Sequence, residues 1–350
     1  MEEIVQKKVR VNGLDMHVAE KGNGPTILFI HGFPELWYSW RHQILYFADN
    51  GYRAVAPDLR GYGGTTGAPN EDVGKFSIMH LVGDLVMLLE ELAPDEEKVY
   101  VVAHDWGAII GWNLCLLRPD KVKAYAALSV YYSPRNPNPA TRLPEYYRAI
   151  YGDDHYIWRF QVMFIFHLTL LLYIFWFWLN IYEQEVGDIE GEFEKIGVKE
   201  VMKKFLTYRK PAPLFFPKGK GFGDSGEDDD DSLPSWLSPE DLDYYADNFT
   251  KTGFTGGVNY YRALNLNWEL LAAWTGAQVK VPAKYIVGDL DLVYNNKGAK
   301  EYIHSGELKK NVPLLEDIVV MEGVAHFLMQ ESPDEVNKHI HHFLKNHEKN

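Results

Sequence analysis

A chain of 350 residues with 46% hydrophobic and 14% aromatic content carries enough apolar side chain for a large core, and its length allows one to three domains. Its net charge of −14 argues against nucleic acid and anionic membrane surfaces as partners, since both favour basic patches. The one cysteine, Cys115, cannot close an internal disulfide, which points to a reducing, cytoplasmic compartment.

The N-terminal segment MEEIVQKKVRVNG is charged and lacks an apolar h-region, so no secretory signal is read there, and the closing NHEKN is not a peroxisomal Ser-Lys-Leu address. Residues 3–20 read as a hairpin turned at Asn12-Gly13. A buried strand at Thr26–Ile30 runs into His31-Gly32-Phe33-Pro34, and a first helix follows from Ser39-Trp40 to about Asp49. A further strand at 52–56 closes into Pro57-Asp58 and the glycine-rich Arg60-Gly61-Tyr62-Gly63-Gly64. From Ser77, a plausible N-cap, the positions Ile78, Leu81, Val82, Leu85, Leu88, Leu89 and Leu92 keep helical spacing.

Val99-Tyr100-Val101-Val102 is a buried strand, and an apolar helix runs from Ala108 to Leu117. Between them lies Ala103-His104-Asp105-Trp106-Gly107, with small residues two before and two after Asp105, as a sharp strand-to-helix turn requires. This is the nucleophile-elbow frame, with Asp where esterases and lipases carry Ser. A carboxylate, with an ordinary pKa near 4, needs no base to ionise it and can attack an sp3 carbon directly, forming an ester that water must then cleave. Taken alone, the frame also fits an Asp that merely caps the following helix.

A strand at 122–130 completes an alternation of strands and helices that implies a parallel sheet covered on both faces. At Ser133 the texture changes: Pro134, Pro137, Pro139 and Pro144 break the pattern, and the next stretch is rich in aromatics without clear strands. Helical signals recur at 239–248 and 258–271, and the acidic run 227–231 reads as a solvated loop. Strands return at 279–288 and 318–321, and a closing helix places Val336, Ile340, Phe343 and Leu344 on one face. His339, His341 and His342 lie on that helix without a partner cluster, so no metal site is read there. The expected architecture is an α/β-hydrolase fold: a mostly parallel eight-stranded sheet, core parts at 1–132 and 273–350, and a helical cap at 133–272.

Past the cap, Gly288-Asp289-Leu290-Asp291 ends a strand, and Glu322-Gly323-Val324-Ala325-His326 follows the last one. Nucleophile, acid, histidine is the chain order of the α/β-hydrolase triad. His326 would activate water against an ester on Asp105, and Asp291 would orient it; Asp289 is the competing acid. The backbone N–H groups of Phe33 and Trp106 would face the oxyanion formed when water adds, each such donor being worth about 3 kcal/mol.

These motifs resemble soluble epoxide hydrolases of the plant type. The matching stretches are HGFPELWYSWRHQ at 31–43, APDLRGYG at 56–63, VVAHDWG at 101–107 and FTGGVNYYRALNLNWEL at 254–270. Gly64 departs from the acidic residue usual after Gly-Tyr-Gly. The resemblance implies hydrolysis of epoxides to vicinal diols, with two cap tyrosines donating to the epoxide oxygen. By motif these are Tyr156 and Tyr261, with Tyr260 the rival of the latter. Glu35 and His104 match positions that line the site near substrate and hydrolytic water. No metal or cofactor is implied, and the partners are a small apolar epoxide, such as a fatty-acid or aryl epoxide, and water. The oligomeric state stays open. The alternatives are a haloalkane dehalogenase-like hydrolase, which needs halide-binding N–H donors in place of the tyrosines, and a non-catalytic ligand-binding protein of the same fold.

One stretch stands outside this frame. Residues 163–182 carry no charge and by hydropathy could span a bilayer, yet they fall inside the cap, where a span would separate cap from core. Removing 162–184 would join Arg159-Phe160-Gln161 to Glu185-Val186-Gly187, the continuation the family leads one to expect. The stretch begins with Val and ends with Gln, whose codons can carry GT and CAG, and its Phe, Leu, Ile and Tyr content implies T-rich codons. The expectation is a translated retained intron; membrane contact through 163–182 is the lesser alternative.

Overall fold

The computed structural model describes residues 4–161, 188–222 and 232–348. Asn12 and Gly13 both take left-handed backbone, with φ of 48° and 83°. That is what a two-residue type I′ turn demands, and it folds β1 (Val5–Val11) antiparallel onto β2 (Leu14–Lys21). The remaining strands are β3 (Thr26–Ile30), β4 (Arg53–Pro57), β5 (Val99–His104), β6 (Val122–Leu128), β7 (Ala283–Gly288) and β8 (Leu315–Met321). They form one eight-stranded sheet in the order β1-β2-β4-β3-β5-β6-β7-β8. β2 meets β4 antiparallel, and from β4 to β8 every pairing is parallel. β3, β5 and β7 are buried along their whole length, as continuous apolar runs in a sheet covered on both faces must be.

Helices α1 (Arg41–Asp49), α2 (Ile78–Leu92) and α3 (Trp106–Leu117) cover the first half. α2 buries Ile78, Leu81, Val82, Leu85, Leu88 and Leu89, the stripe read from its spacing. Ser77 precedes it but does not cap it through its side chain; its hydroxyl turns to His80 Nδ1 at 2.8 Å, and Asn267 Oδ1 accepts the Ile78 N–H at 2.7 Å instead. β7 begins later than the apolar run suggests because Pro282, lacking an N–H, precedes it.

Between β6 and β7 the described residues form α4 (Leu143–Tyr151), α5 (Tyr156–Arg159), α6 (Asp188–Ile196), α7 (Val198–Leu206), α8 (Pro239–Thr252), α9 (Thr255–Arg262) and α10 (Leu264–Leu270). The helical signal at 258–271 breaks at Ala263, so one expected helix is two. After β7 come α11 (Ala299–His304) and α12 (Glu307–Asn311), and after β8 come α13 (Leu328–Glu331) and α14 (Pro333–Asn346). The apolar stretch 162–184 and the acidic run 227–231 lie outside the described residues. Among those described, no helix is long and apolar enough to cross a membrane.

The helical layer is seated on the strand ends by aromatic and glycine contacts. Tyr38 stacks on Tyr244 of α8 at 4.1 Å between centroids, and its hydroxyl donates to Asp241 at 2.7 Å. Trp37 Nε1 donates to the Tyr244 hydroxyl at 2.9 Å. At the start of α9, a Cβ on Gly256 would lie 2.2 Å from the Gly61 carbonyl oxygen, so only glycine lets α9 approach the core loop this closely.

Candidate active site

β5 ends at His104 and α3 begins at Trp106, leaving Asp105 to make the whole turn at φ 51° and ψ −121°. Few non-glycine residues take such a backbone, and the surroundings must enforce it. A Cβ at Gly107 would lie 2.2 Å from the Ile30 carbonyl oxygen, which explains the small residue there. The turn projects the Asp105 carboxylate into a buried space at the C-terminal ends of the parallel strands. There the Phe33 N–H donates to its Oδ1 at 2.8 Å. The Trp106 N–H, first of α3, makes no hydrogen bond to the carboxylate among the described residues.

Two further strand ends supply the partners. His326, in the loop after β8, sets Nε2 3.5 Å from Asp105 Oδ2 and Nδ1 2.9 Å from Asp291 Oδ2. Asp291, past the end of β7, is fully buried, and its Oδ1 accepts from the N–H groups of Val293 at 2.6 Å and Tyr294 at 3.2 Å. Asp289 goes elsewhere: its Oδ1 accepts the Gly323 N–H at 2.8 Å. The Ser129 hydroxyl, just past β6, lies 3.1 Å from His326 Nδ1 and helps keep the Asp291 carboxylate ionised. Nothing in the sequence marked Ser129 as a neighbour of the histidine.

Burial opposes ionisation of both carboxylates. For Asp105 the His326 hydrogen bond and charge, with His104 and the Phe33 N–H, outweigh it and hold the pKa below its ordinary value. For Asp291 the His326 charge and hydrogen bond, with Ser129, do the same. Burial also disfavours charge on His326, but Asp291 and Asp105 together push its pKa well above the ordinary value. The resting site is therefore two carboxylates sharing one imidazolium.

Glu35 and His104 lie beneath the triad, both with no solvent exposure. Glu35 Oε2 accepts the Gly32 N–H at 2.6 Å and lies 2.8 Å from His104 Nδ1, while His104 Nε2 donates to the His326 carbonyl at 2.7 Å. This chain ties the loop at Gly32-Phe33 to the loop that carries His326. Glu35 Oε1 is buried without a hydrogen-bond partner.

Over Asp105 stand Tyr156, at the start of α5, and Tyr261, near the end of α9, with ring centroids 5.8 Å apart. Burial, then the nearby Tyr147 for Tyr156 and the Asp105 carboxylate for Tyr261, raises both phenols well above 10, so both keep their protons at neutral pH. Tyr260 points away, its hydroxyl donating to the Arg60 carbonyl at 2.8 Å. Ion pairs beneath the tyrosines brace the two helices against α6. Arg262 grips Glu190 bidentately at 2.8 and 3.0 Å, Arg159 binds Glu192 at 2.7 Å, and Gln161 donates to the Tyr261 carbonyl at 3.0 Å. Asp105, Tyr156 and Tyr261 line both a cavity of about 200 Å³ on one side and a smaller one of about 30 Å³ on the other. His326 and Phe33 border the smaller one.

Residues 25–161 match the family model described as alpha/beta hydrolase fold. Epoxide hydrolase 2 of Siraitia grosvenorii is 49% identical over 345 residues, covering 99% of both chains. The solved structure of epoxide hydrolase I from potato, Solanum tuberosum, superposes with a TM-score of 0.86 at 60% identity, covering 98% of this chain and 99% of that one. An epoxide hydrolase from Vigna radiata gives a TM-score of 0.85 at 53% identity, covering 99% of each chain.

Proposed function

The chain belongs to the epoxide hydrolases of the α/β-hydrolase family, an enzyme that turns an epoxide and water into a diol, and from that premise we propose which of its residues do the work. Asp105 is the nucleophile. Its Oδ1 is held by the Phe33 N–H, leaving Oδ2 to attack an epoxide carbon from the face opposite the C–O bond. As that bond breaks, Tyr156 and Tyr261 hydrogen-bond the departing oxygen and one of them protonates it, giving a hydroxyalkyl ester on Asp105.

Esterification removes one of the two negative charges that keep His326 protonated. Its pKa falls, the imidazolium gives up its proton and the tyrosine phenolate regains one, and the neutral imidazole can then take a proton from water as the water attacks Cγ of Asp105. Oδ1 becomes the oxyanion, facing the N–H groups of Phe33 and Trp106. Glu35 Oε1, buried and unpartnered, offers that water an acceptor, and His104 holds the His326 loop through its carbonyl. Collapse of the adduct releases the diol with one oxygen from Asp105.

The observation that carries this reading is a carboxylate at a strained turn, bonded on one oxygen by a backbone N–H, facing an imidazole on the other, beneath two protonated phenols. Phenols suit an alkoxide leaving group; halide release would require a second side-chain N–H donor beside the Trp106 indole, and the Phe33 side chain offers none. The layer at 133–272 is the cap, core parts are 1–132 and 273–350, and 162–184 is an insertion in the cap. The apolar walls suit a bulky fatty-acid or aryl epoxide, and the single thiol, free and buried, suits a cytoplasmic protein.

The test is one turnover in heavy-oxygen water with enzyme in excess, wild type beside Asp105→Ala. The first diol should carry no heavy oxygen from solvent, and the variant should make none. Heavy oxygen in the first diol excludes the ester.

A further inference from the structure

The larger cavity is walled by Ile109, Trp112, Leu116 and Leu271, yet a cation stands among them: Arg135, in the loop after β6. Its guanidinium is held in place. Nε donates to the Trp268 carbonyl at 2.6 Å, Nη1 donates to Thr275 Oγ1 at 2.5 Å, and the plane lies over the Trp268 indole at 4.0 Å from the centroid. Arg142 covers the same indole at 4.5 Å but has its own carboxylate, Glu269, at 3.7 Å. Among the described residues no carboxylate pairs with Arg135, and its Nη2 makes no hydrogen bond. In a chain of net charge −14 an arginine without an acidic partner is conspicuous.

Resting on the epoxide reading above, we propose that Arg135 is an anion subsite at the outer end of this cavity. It would bind the carboxylate of an epoxide-bearing long-chain acid while the apolar chain fills the space back to Asp105. The guanidinium is half-buried and already ordered by two acceptors and a ring, so little side-chain entropy is lost when a carboxylate docks on its remaining N–H groups. An ammonium on a flexible stem would lack that fork. Arg135 thereby selects for acids over neutral epoxides and fixes which end of a long substrate faces outward.

The experiment compares epoxystearic acid, its methyl ester and styrene oxide with wild type, Arg135→Ala and Arg135→Lys. Wild type should favour the acid over the ester in kcat/KM, and added salt should narrow that preference. Arg135→Ala should lower the acid-to-ester ratio about tenfold through KM, the scale of one charge-assisted pair, with Arg135→Lys between the two. Equal handling of acid and ester by wild type overturns the proposal. So does a loss in Arg135→Ala that is the same for every substrate, which would make Arg135 a brace for Trp268. Failure of wild type on all three epoxides would instead strike the catalytic reading itself.

Discussion

Asp291→Asn should separate the two half-reactions proposed above. Asp291 Oδ1 accepts the N–H groups of Val293 and Tyr294, so an asparagine would keep its carbonyl oxygen there and turn its NH2 toward His326 Nδ1. A donor facing Nδ1 forces that nitrogen to accept, and the proton moves to Nε2, which faces Asp105 Oδ2 across 3.5 Å. An Nε2–H can still hydrogen-bond the attacking carboxylate, but it cannot take a proton from water. Ring opening should therefore persist while ester hydrolysis stalls. Losing the ionic partner of a buried hydrogen-bonded charge costs ~3–5 kcal/mol, which corresponds to roughly 10²–10⁴-fold in the second step. The assay mixes enzyme with excess epoxide, quenches in acid, and weighs the intact protein by mass spectrometry. A near-stoichiometric adduct equal to the epoxide mass, with turnover reduced by that factor, is expected. Absence of adduct together with kcat within tenfold of wild type would refute the reasoning.

Tyr156→Phe and Tyr261→Phe should each slow adduct formation about tenfold, and the double variant by ~10³ or more, since general-acid help of about 10²–10⁴ is shared between two donors; equal rates in single and double variants would remove one tyrosine from the reaction. The His326 pKa is raised by folding, so its stabilising contribution is complete below its unfolded value near 6.5 and is lost as pH rises through the folded value. Asp105 and Asp291 are depressed, so theirs holds above the unfolded value near 4 and is lost as pH falls through the folded values. Urea melts should show the gap between wild type and His326→Gln shrinking from pH 6 upward; a gap that widens contradicts the sign. Deleting 162–184 should leave a folded enzyme with undiminished turnover, because Arg159 already pairs with Asp188 at 3.2 Å and with Glu192 at 2.7 Å across the insertion. Mature transcripts that all encode 162–184, or a deletion variant that cannot fold, would end the retained-intron explanation.

Backbone demands were the most legible part of this chain. A type I′ turn shows as Asn12-Gly13 and a tight strand-to-helix bend as Gly107, because few residues fit such places, whereas the close approach of α9 to the core loop at Gly256 shows only in the structure. Choices between neighbours were not legible. Asp289 and Asp291 both follow β7, and only the path of the loop decides that one caps Gly323 and the other reaches His326. Tyr260 and Tyr261 differ by the 100° turn between successive helical residues. The seating of α9 sends one hydroxyl to Arg60 and the other ring over the site. Ser129, Asn267, Glu190 and Glu192 carry no local signature at all. Their partners come from distant segments, and a serine or glutamate in a loop or amphipathic helix reads as solvated until the layers close.

The scattered residues matter because of how charge is counted at the site. At rest, two carboxylates and one imidazolium leave a single net negative charge in a buried space. In the proposed mechanism, forming the ester removes one negative charge, and the remaining pair, Asp291 and His326, is neutral overall. Once His326 gives up its proton so that it can act as the base, Asp291 must bear its charge against Ser129 and the N–H groups of Val293 and Tyr294 alone until the imidazole takes a proton from the attacking water. Those dipoles are fixed before the reaction begins, so they cost no reorganisation when they are needed. A triad with the same three residues but without these donors would raise Asp291 toward its neutral form, and a neutral acid could not favour the imidazolium that ester hydrolysis produces. The acid's hydrogen bonds, more than its distance from the histidine, therefore set whether the second half-reaction keeps pace with the first.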